Sequence, residues 1–408
     1  MDKFKNTIKD TKGDIGEQLI AQFFDNKYSR FFSFPNPKTK TNAEIADVII
    51  WKNRVVLLVE VKTRDEGPAS INEWAKLRTQ EAVEQIDKNY KRVKSNEVIN
   101  LHNSYYHTTL DCMGITSVIG LIVLVHDEKS SMLPKSAVSD IYDKELPIHV
   151  ISWNDLVKMT TEIDTVSDFE YYLNDRFTYL QISDIPLGSE LNVLGCYKTS
   201  NNKFPCAPTD YETIPYWEIY CSTMVNEINK RSFHNRYSSW IDNLESIFSD
   251  QRRLFHGYPI GLYFAWEIGS INRRERAYLG EKLDTVQDWF NAGNSTRTFA
   301  ILNGSTGNWL VFYYSKSEPN QLHKELLKLV ELKLVKEIHD ESFEYGVYGF
   351  GLHVSATYPP QLLGLVSAIV IGADEKKTFT KSELDEAYSI FGTIAQRQSI
   401  KIEEYPKN

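Results

Sequence analysis

Residues 53–62, NRVVLLVEVK, are the stretch on which the fold prediction rests. Up to Val59 the run is β-branched and aliphatic on both faces, which is typical of a central strand covered on both sides. Glu60 and Lys62 follow, and side chains two residues apart leave a strand on the same face, roughly 6–7 Å from each other. Charges beside a buried core are costly to desolvate unless they are paired or hold a ligand. The stretch therefore predicts an ion pair or a binding site at the end of a buried strand.

The segment before this strand supplies another carboxylate. Residues 44–51, EIADVIIW, predict a strand with Asp47 near its middle. Because only a short turn separates the two strands, they must pair as an antiparallel hairpin. We therefore expect Asp47 to lie on the strand next to Glu60. Glu44, three residues before Asp47, is expected to point to the opposite face.

A glycine-containing helix is predicted upstream of the hairpin. Residues 11–26 carry an apolar stripe on one side, formed by Ile15, Leu19, Ile20 and Phe23. Gly13, Gly16 and Glu17 occupy the first turns of this helix. Glycine weakens a helix, so its presence here indicates that another part of the backbone approaches closely.

Further elements complete a layered α/β pattern. The predicted elements are a strand at residues 28–36, a helix at 72–95, strands at 118–126 and 148–153, and a helix at about 154–160. Gln85 and Tyr90 lie on the longer of these helices, and Lys38 and Lys40 lie in a polar loop at 35–42. Helices alternating with a hairpin and single strands indicate a mixed sheet flanked by helices.

The second half of the chain predicts a separate α+β domain. Residues 161–215 show no clear periodicity, and 197–210 are the best linker candidate. The later predicted elements are helices at 216–231 and 240–253, strands at 260–268, 298–303 and 309–314, a helix at 320–337, strands at 346–355 and 362–372, and a helix at 381–397. We therefore expect a first domain at 1–165, a connecting segment at 166–215, and a recognition, sensor or partner-binding domain at 216–408.

Composition is that of an ordinary soluble globular protein. The 408 residues are 42% hydrophobic and 25% charged, with a formal net charge of −9. That charge argues against nonspecific wrapping of nucleic acid, although residues 1–100 carry slightly more basic than acidic side chains. The cysteines form no CxxC pair, so the sequence signals neither a zinc ribbon nor a disulfide framework. The longest apolar runs are too short to cross a bilayer and the start lacks a signal-peptide pattern, so we expect a cytoplasmic protein without a membrane partner.

The acidic residues are of the type that binds a divalent cation. Hydrolysis of a phosphodiester needs a divalent cation that polarises the phosphate and activates a water molecule. Mg²⁺ prefers hard oxygen ligands and retains several waters, and Mn²⁺ can replace it. Asp47 and Glu60 can supply carboxylates, and the backbone carbonyl of Val61 can join them. Glu17 can hold a second ion or a water of the first.

Polar side chains around these acids suit the rest of the reaction. Lys62, beside Glu60, can orient the attacking water or stabilise charge at the phosphorus. Gln85 can contact the water or the phosphate, and Tyr90 is a weaker candidate for the same contact. Lys38 and Lys40 are candidates to touch the nucleic-acid backbone, although exposed loop lysines are more often simply solvated.

The chain resembles the PD-(D/E)XK nuclease superfamily over about residues 10–155. The residues that carry the resemblance are Gly13-Asp14-Ile15-Gly16-Glu17, Asp47, Glu60-Val61-Lys62 and Gln85, and they occur in the family's order. In its early helix glutamate and the glutamine on the later helix, the chain resembles restriction endonucleases of the Mrr type and archaeal Holliday-junction resolvases. The resemblance implies a restriction-endonuclease-like fold, Asp47 and Glu60 as metal ligands, and Lys62 as the catalytic lysine. One departure is Ala46, which stands where many relatives have proline.

The sequence leaves several functions open. The first is a Mg²⁺-dependent DNA endonuclease acting on duplex or branched DNA in restriction or defence, with a protein or small effector at its second domain. A nuclease of the same chemistry in repair, recombination or RNA processing is an alternative. A binding protein that keeps the fold without turnover is another, since Glu60 and Lys62 can form a simple ion pair. Cleavage of both strands by one site per chain would favour a homodimer.

Overall fold

The computed structural model forms two compact units. It describes residues 12–27, 32–52, 54–64, 70–103, 107–126, 146–182, 190–205, 214–226, 260–303, 306–340, 346–354, 362–372 and 379–391. The first unit comprises residues 1–228 with 407–408, and the second comprises residues 229–406. The architecture is mixed α/β, as the sequence predicts. The helix predicted at 240–253 lies outside the described residues.

The first unit contains two sheets and their flanking helices. Its helices are α1 (Lys12–Lys27), α2 (Ile71–Lys94), α3 (Trp153–Glu162), α4 (Val166–Ile182), α5 (Glu190–Thr199) and α6 (Tyr216–Asn226). Its strands are β1 (Ser33–Pro35), β2 (Lys38–Thr39), β3 (Val48–Lys52), β4 (Val55–Thr63), β5 (Ile99–His102), β6 (His107–Leu110), β7 (Ser117–Val125) and β8 (Ile148–Ser152). A 3₁₀ turn at Cys112–Gly114 precedes β7. The larger sheet has the order β1-β3-β4-β7-β8, and the smaller has the order β2-β5-β6.

Strand β4 is the centre of the larger sheet. It pairs antiparallel with β3, where Val48 lies opposite Val59, and parallel with β7, where Glu60 lies opposite Ile122. Its residues from Val56 to Glu60 are buried. The prediction of a hairpin with a buried second strand is confirmed, because an apolar run of this kind requires cover on both faces.

Asp47 lies just before β3, so the prediction that it sits near the middle of a strand is wrong. The preceding segment leaves the larger sheet to contact β2, with a bridge between Lys38 and Glu44 and a hydrogen bond from the Ile45 amide to the Pro37 carbonyl. The strand therefore begins only at Val48. The chain therefore bends at Asp47, immediately before β3.

Helix α1 packs closely against the end of β4. A Cβ added at Gly16 would lie 2.0 Å from Thr63 Oγ1, so only glycine permits this approach. The buried apolar residues of α1 include Ile20, while Ile15 and Leu19 are 55% and 41% exposed. The predicted apolar stripe is therefore partly wrong, because the helix turns its glycine toward the sheet rather than the flanking aliphatic residues.

Helix α2 covers the opposite face of the same strands. Its N-terminus is capped by Ser70 and Glu73 in a capping box, which satisfies two backbone amides. Ile86 of α2 lies against Gly120 of β7, where an added Cβ would approach the Ile86 side chain to 2.9 Å. Thr63 faces α1, whereas Lys62 contacts Gln85 of α2. Alternation along β4 thus sends Lys62 and Thr63 to opposite helices.

The smaller sheet occupies a region that the sequence assigns to loops or leaves unassigned. Strand β5 pairs antiparallel with both β2 and β6. Lys38 therefore lies on a short strand, and its prediction as a loop residue is wrong. Both β2 and β6 are too short for hydrophobic alternation to be readable from the sequence.

Residues 161–215, which show no clear periodicity in the sequence, contain the helices α4 and α5. A buried polar network explains why their periodicity is hidden. Arg176 donates to Glu190 at 2.6 and 2.8 Å and contacts His149 Nδ1 at 2.9 Å, and Tyr172 donates to Glu190 at 2.6 Å. Lys52 of β3 is also held by Glu170 of α4 at 2.6 Å. Charged residues that face the core break the apolar pattern on which the prediction depends.

The second unit has a four-stranded sheet with the order β12-β11-β10-β9. Its elements are α7 (Ile260–Gly269), α8 (Arg273–Asn291), β9 (Thr296–Leu302), β10 (Trp309–Ser315), α9 (Pro319–His339), β11 (Gly346–Val354), β12 (Leu362–Gly372) and α10 (Lys381–Phe391). Strands β10 and β11 are parallel, and the outer pairs are antiparallel. Among the described helices, none combines the length and the apolar composition needed to cross a bilayer.

Residues 260–268 form the helix α7, so the strand predicted there is wrong. Phe264 and Ile268 are buried at helical spacing, and Glu267 is buried between them. Glu267 accepts hydrogen bonds from Asn303, Thr306 and Asn308 at 2.7–3.1 Å. A short apolar run gives no period that separates a buried helix from a buried strand.

Candidate metal centre

Asp47 is fixed to β4 by two hydrogen bonds. Its amide donates to the Val59 carbonyl at 3.1 Å, and its Oδ2 accepts from the Val61 amide at 2.6 Å. Strand β3 begins only after Asp47. The Asp47 side chain therefore accepts the hydrogen bond from the Val61 amide in place of a backbone carbonyl of a paired strand. The Asp47 carboxylate is therefore held beside the Glu60-Val61-Lys62 segment of β4.

Glu60 and Lys62 lie on the side of β4 that faces α2. Lys62 Nζ donates to Glu60 Oε2 at 3.2 Å and to Gln85 Oε1 at 2.7 Å. Glu60 is only 4% exposed, whereas Gln85 is exposed. Lys62 is thus held between a buried carboxylate and a helix side chain.

Glu17 and Glu44 bring two more carboxylates to Asp47. One carboxylate oxygen from each of Glu17, Glu44 and Asp47 lies within 4.8 Å of the others. The expectation that Glu44 points away from Asp47 is wrong, because the segment before β3 bends and does not alternate as a strand. Glu17 reaches the group because Gly16 allows α1 to approach β4.

Burial and mutual repulsion change the acidity of the two central carboxylates. Burial raises the pKa of Glu60 to about 8, and the Asp47 carboxylate adds to this effect while Lys62 opposes it. Burial also raises the pKa of Asp47 to about 6, although its hydrogen bond from Val61 and the charge of Lys62 favour the ionised form. Lys62 therefore does not compensate the negative charge that the acids would carry together.

These residues fit a hard divalent cation. The donors are carboxylate oxygens, which Mg²⁺ and Mn²⁺ accept, and a cation would offset the cost of ionising Asp47 and Glu60. Val61 is a suitable additional donor, because the amide and carbonyl of one residue point to the same side of an extended strand. Its amide already points to Asp47. The carboxylates that the structure brings within 4.8 Å of one another are those of Glu17, Glu44 and Asp47, and Glu60 interacts with Asp47 through its charge.

The predicted nucleic-acid contacts lie at different places. Lys38 and Lys40 are exposed, at β2 and just after it. Tyr90 is half-buried against the core under α2, and Lys94 Nζ lies 5.6 Å from the centre of its ring. Five residues along a helix turn the side chain to another face, so Tyr90 does not share the side of α2 that Gln85 presents.

Glu44 is the site residue that the sequence analysis missed. In the sequence, Glu44 is recognisable only as an acid three residues before Asp47. Alternation along a strand would place it on the face opposite Asp47, which is not where it lies. Comparison with models of known protein families, with curated proteins and with solved structures gives no match to this chain. The geometry of the site and the resemblance of its motifs are therefore the grounds for proposing a function.

Proposed function

We propose that the first unit is a Mg²⁺-dependent endonuclease that hydrolyses phosphodiester bonds in DNA. The observation that carries the proposal is the pair of neighbouring carboxylates, the buried Glu60 and the partly buried Asp47, with raised pKa values beside Lys62. Such a pair is costly to ionise without a cation, and perturbed acids of this kind concentrate at functional sites. We further propose that the chain acts in restriction or defence against foreign DNA.

The order of elements supports the resemblance to the PD-(D/E)XK superfamily. Helix α1 with Glu17 precedes the β3–β4 hairpin with Asp47, Glu60 and Lys62, and α2 with Gln85 follows. Every motif residue lies on the type of element that the resemblance implies, apart from Asp47, which lies at the entry to its strand. We infer on this basis that the larger sheet is a restriction-endonuclease-like core.

The chain's own residues have distinct tasks in this proposal. Asp47 and Glu60 bind the cation, and the bound cation supplies polarisation of the phosphate and a more acidic water. Lys62 donates hydrogen bonds to the water or to a phosphate oxygen, where negative charge develops. Gln85 orients Lys62 through the 2.7 Å contact and is a positioning residue. Glu17 and Glu44 add negative charge that favours a second cation or an ordered water.

Nicking of supercoiled plasmid tests the proposal. We expect the full chain to convert plasmid to the open-circular form in Mg²⁺ or Mn²⁺, and EDTA to stop the reaction. Lys62→Met removes the ammonium group and is expected to reduce the rate by roughly 100- to 1,000-fold. Lys88→Ala, at an exposed position on α2, is the matched control and should cut like the parent. Lack of metal-dependent cleavage of plasmid by the parent would refute action on ordinary duplex DNA.

A panel of substrates separates the alternatives that use the same site. Duplex, single-stranded and branched DNA and duplex RNA of equal length are incubated with the chain in Mg²⁺. Cleavage confined to branched DNA would identify a repair or recombination nuclease, and cleavage confined to RNA would replace DNA as the substrate. Mg²⁺ binding without cleavage of any member would identify a binding protein that retains the fold.

A further inference from the structure

The smaller sheet exposes one polar face. Strand β5 lies between β2 and β6, and the registers place Lys38 beside Asn100, Asn100 beside Thr109, and His102 beside His107. All five side chains are exposed. We call Lys38, Asn100, His102, His107 and Thr109 the β5 face. Each of its members carries a hydrogen-bond donor, and none carries a carboxylate.

The other side of this sheet is turned inward, which fixes the direction of the β5 face. Thr39, Ile99, Leu101 and Leu110 alternate with the face residues and are buried. Ile99, Leu101 and Leu110 belong to the same hydrophobic cluster as the β4 residues Val56 and Leu58. The β5 face is therefore the outer surface of a layer that is anchored in the core of the first unit.

The β5 face adjoins the candidate metal centre through β2. Lys38 forms a β-bridge with Glu44, and a Glu44 carboxylate oxygen lies within 4.8 Å of one from Asp47. A donor-rich surface thus borders a cluster of acids. An anionic chain lying on the β5 face would pass beside the residues that are proposed to bind the cation.

The histidine pair does not have the geometry of a metal site. The rings of His102 and His107 are nearly parallel, at an interplanar angle of 13°, with their centres 5.9 Å apart. The nitrogen lone pairs lie in the ring planes, so parallel rings direct them side by side rather than toward one ion at the Zn–N distance of about 2.0–2.1 Å. Parallel rings can instead present N–H donors to neighbouring oxygen atoms of one ligand.

We propose that the β5 face binds the phosphodiester backbone of duplex DNA and so guides the substrate into the metal centre. This inference rests on the proposed function. Lys38 supplies the charge contact, and His102, His107, Asn100 and Thr109 supply further hydrogen-bond donors to phosphate oxygens. An open depression of about 520 Å³ lies over the β5–β6 part of the face and leaves room for the backbone.

The size of the face sets the number of phosphates that it contacts. Neighbouring strands are about 4.8 Å apart and alternate residues about 6.6 Å apart, so the face measures roughly 10 by 7 Å. One DNA strand carries a phosphate about every 3.4 Å along the helix axis, and a 7 Å length therefore covers about two. The face is a short contact, not a groove that specifies sequence.

The lysine and the histidines of the β5 face can be tested by separate substitutions. Replacing a phosphate-bound lysine releases fewer counterions, so Lys38→Ala should weaken DNA binding and lower the slope of log K against log salt by about 0.9. The variant His102→Ala/His107→Ala removes two hydrogen-bond donors and should weaken binding roughly tenfold. His102→Gln/His107→Gln keeps an amide donor at each position and should bind within about threefold of the starting chain.

Fluorescence anisotropy with a labelled 30-base-pair duplex tests the proposal in the full chain carrying Asp47→Asn, which prevents consumption of the DNA. Lys76→Ala/Lys88→Ala removes two exposed lysines of α2 and controls for net charge. The expected result is loss of affinity in Lys38→Ala and in His102→Ala/His107→Ala, and little change in the control. Equal binding by the β5-face variants and their parent overturns the proposal, as does binding to duplex RNA alone or to no duplex.

The two proposals fail in different ways. If plasmid is nicked in Mg²⁺ while the β5-face variants bind as tightly as their parent, the endonuclease stands and the backbone contact is wrong. If the duplex binds through the β5 face and no chain cuts plasmid, the contact stands and the endonuclease is wrong. Thermal unfolding of each variant within about 2 °C of the parent confirms that a loss of binding is local.

Discussion

The Asp47 carboxylate accepts a hydrogen bond of 2.6 Å from the amide of Val61. This contact joins the residue that precedes β3 to the middle of the Glu60-Val61-Lys62 segment on β4. The acid is thereby fixed in position by the backbone of the same strand that carries its two charged neighbours. The bond also explains how Asp47 keeps its place although burial disfavours its charge.

Substitutions at Asp47 should separate its structural role from its role in metal binding. Asp47→Ala leaves the Val61 amide without its acceptor and should lower the free energy of unfolding by about 1–3 kcal/mol. Asp47→Asn keeps an oxygen acceptor and should unfold near the parent in EDTA. Both variants lose a metal ligand, so we expect Mg²⁺-dependent nicking to fall at least about 100-fold. Nicking by Asp47→Asn at the parental rate would contradict its assignment as a ligand.

Gln85 should act through Lys62. Gln85→Leu removes the oxygen that accepts from Lys62 Nζ at 2.7 Å, so the ammonium group loses its orientation but not its charge. We expect kcat for nicking to fall roughly tenfold with KM little changed, a smaller effect than that of Lys62→Met. Gln85→Glu restores an acceptor and should recover most of the rate. Glu84→Gln, at the exposed neighbouring position, is the control and should leave the rate unchanged.

Stability should depend on pH through Glu60. The folded chain retains a proton on Glu60 up to about pH 8, whereas the unfolded chain releases it near 4.5. The folded state thus binds more protons in this window, and its stability must fall as pH rises between the two values. In EDTA we expect the parental Tm to drop by about 3 °C or more relative to Glu60→Gln between pH 6 and pH 8.5.

Mg²⁺ should reverse this loss at high pH. A cation that binds the ionised acids stabilises the folded state alone, so added Mg²⁺ should raise the parental Tm at pH 8.5 more than at pH 6. Glu60→Gln should respond weakly at both values. A parental Tm that is insensitive to Mg²⁺ at pH 8.5 would mean that no cation relieves the repulsion between Asp47 and Glu60.

Gly16→Ala should displace α1 from β4. The added methyl group would meet Thr63 Oγ1 at 2.0 Å, so we expect a loss of about 1–3 kcal/mol in the free energy of unfolding. A loss of stability in Gly16→Ala would be informative, because alanine normally stabilises a helix relative to glycine. Removing the obstacle in Gly16→Ala/Thr63→Ala should recover part of the loss. Gly114→Ala, where no atom lies within 4 Å of the new Cβ, is the control.

The buried Arg176–Glu190 pair should be strongly non-additive. Glu190→Leu leaves the fully buried guanidinium without its carboxylate, and we expect a loss of about 3–5 kcal/mol. Arg176→Leu/Glu190→Leu removes both charges and should cost less than either single substitution. Chemical denaturation of the four chains gives the coupling energy. Simple additivity would show that the pair does not hold α4 and α5 together.

The central hairpin is readable from the sequence because it depends on local properties. The apolar run before Glu60 can be stable only when both faces are covered, and the short turn leaves one possible pairing with the preceding strand. Glu60 and Lys62 share a face by simple alternation. The approach of α1 was also indicated, by Gly16 in its first turns.

The features that sequence analysis missed depend on tertiary contacts. Glu44 joins Asp47 only because the chain bends toward β2, and strand alternation cannot reveal such a bend. Arg176 and Glu190 are buried charges whose partner is distant in sequence, so they obscure the apolar periodicity of α4 and α5. The run 260–268 is apolar except for Glu267, and that residue is itself buried, so polarity gives no contrast between faces that would identify a helix.

Anomalous diffraction from crystals soaked in Mn²⁺ at pH 8 is the most direct test of the central claim. The account predicts an anomalous peak about 2.0–2.2 Å from carboxylate oxygens of both Asp47 and Glu60, near Lys62. Glu60→Gln crystals soaked in the same way should show a much weaker peak. Absence of the peak from the parent, or a peak that contacts neither Asp47 nor Glu60, would contradict the account.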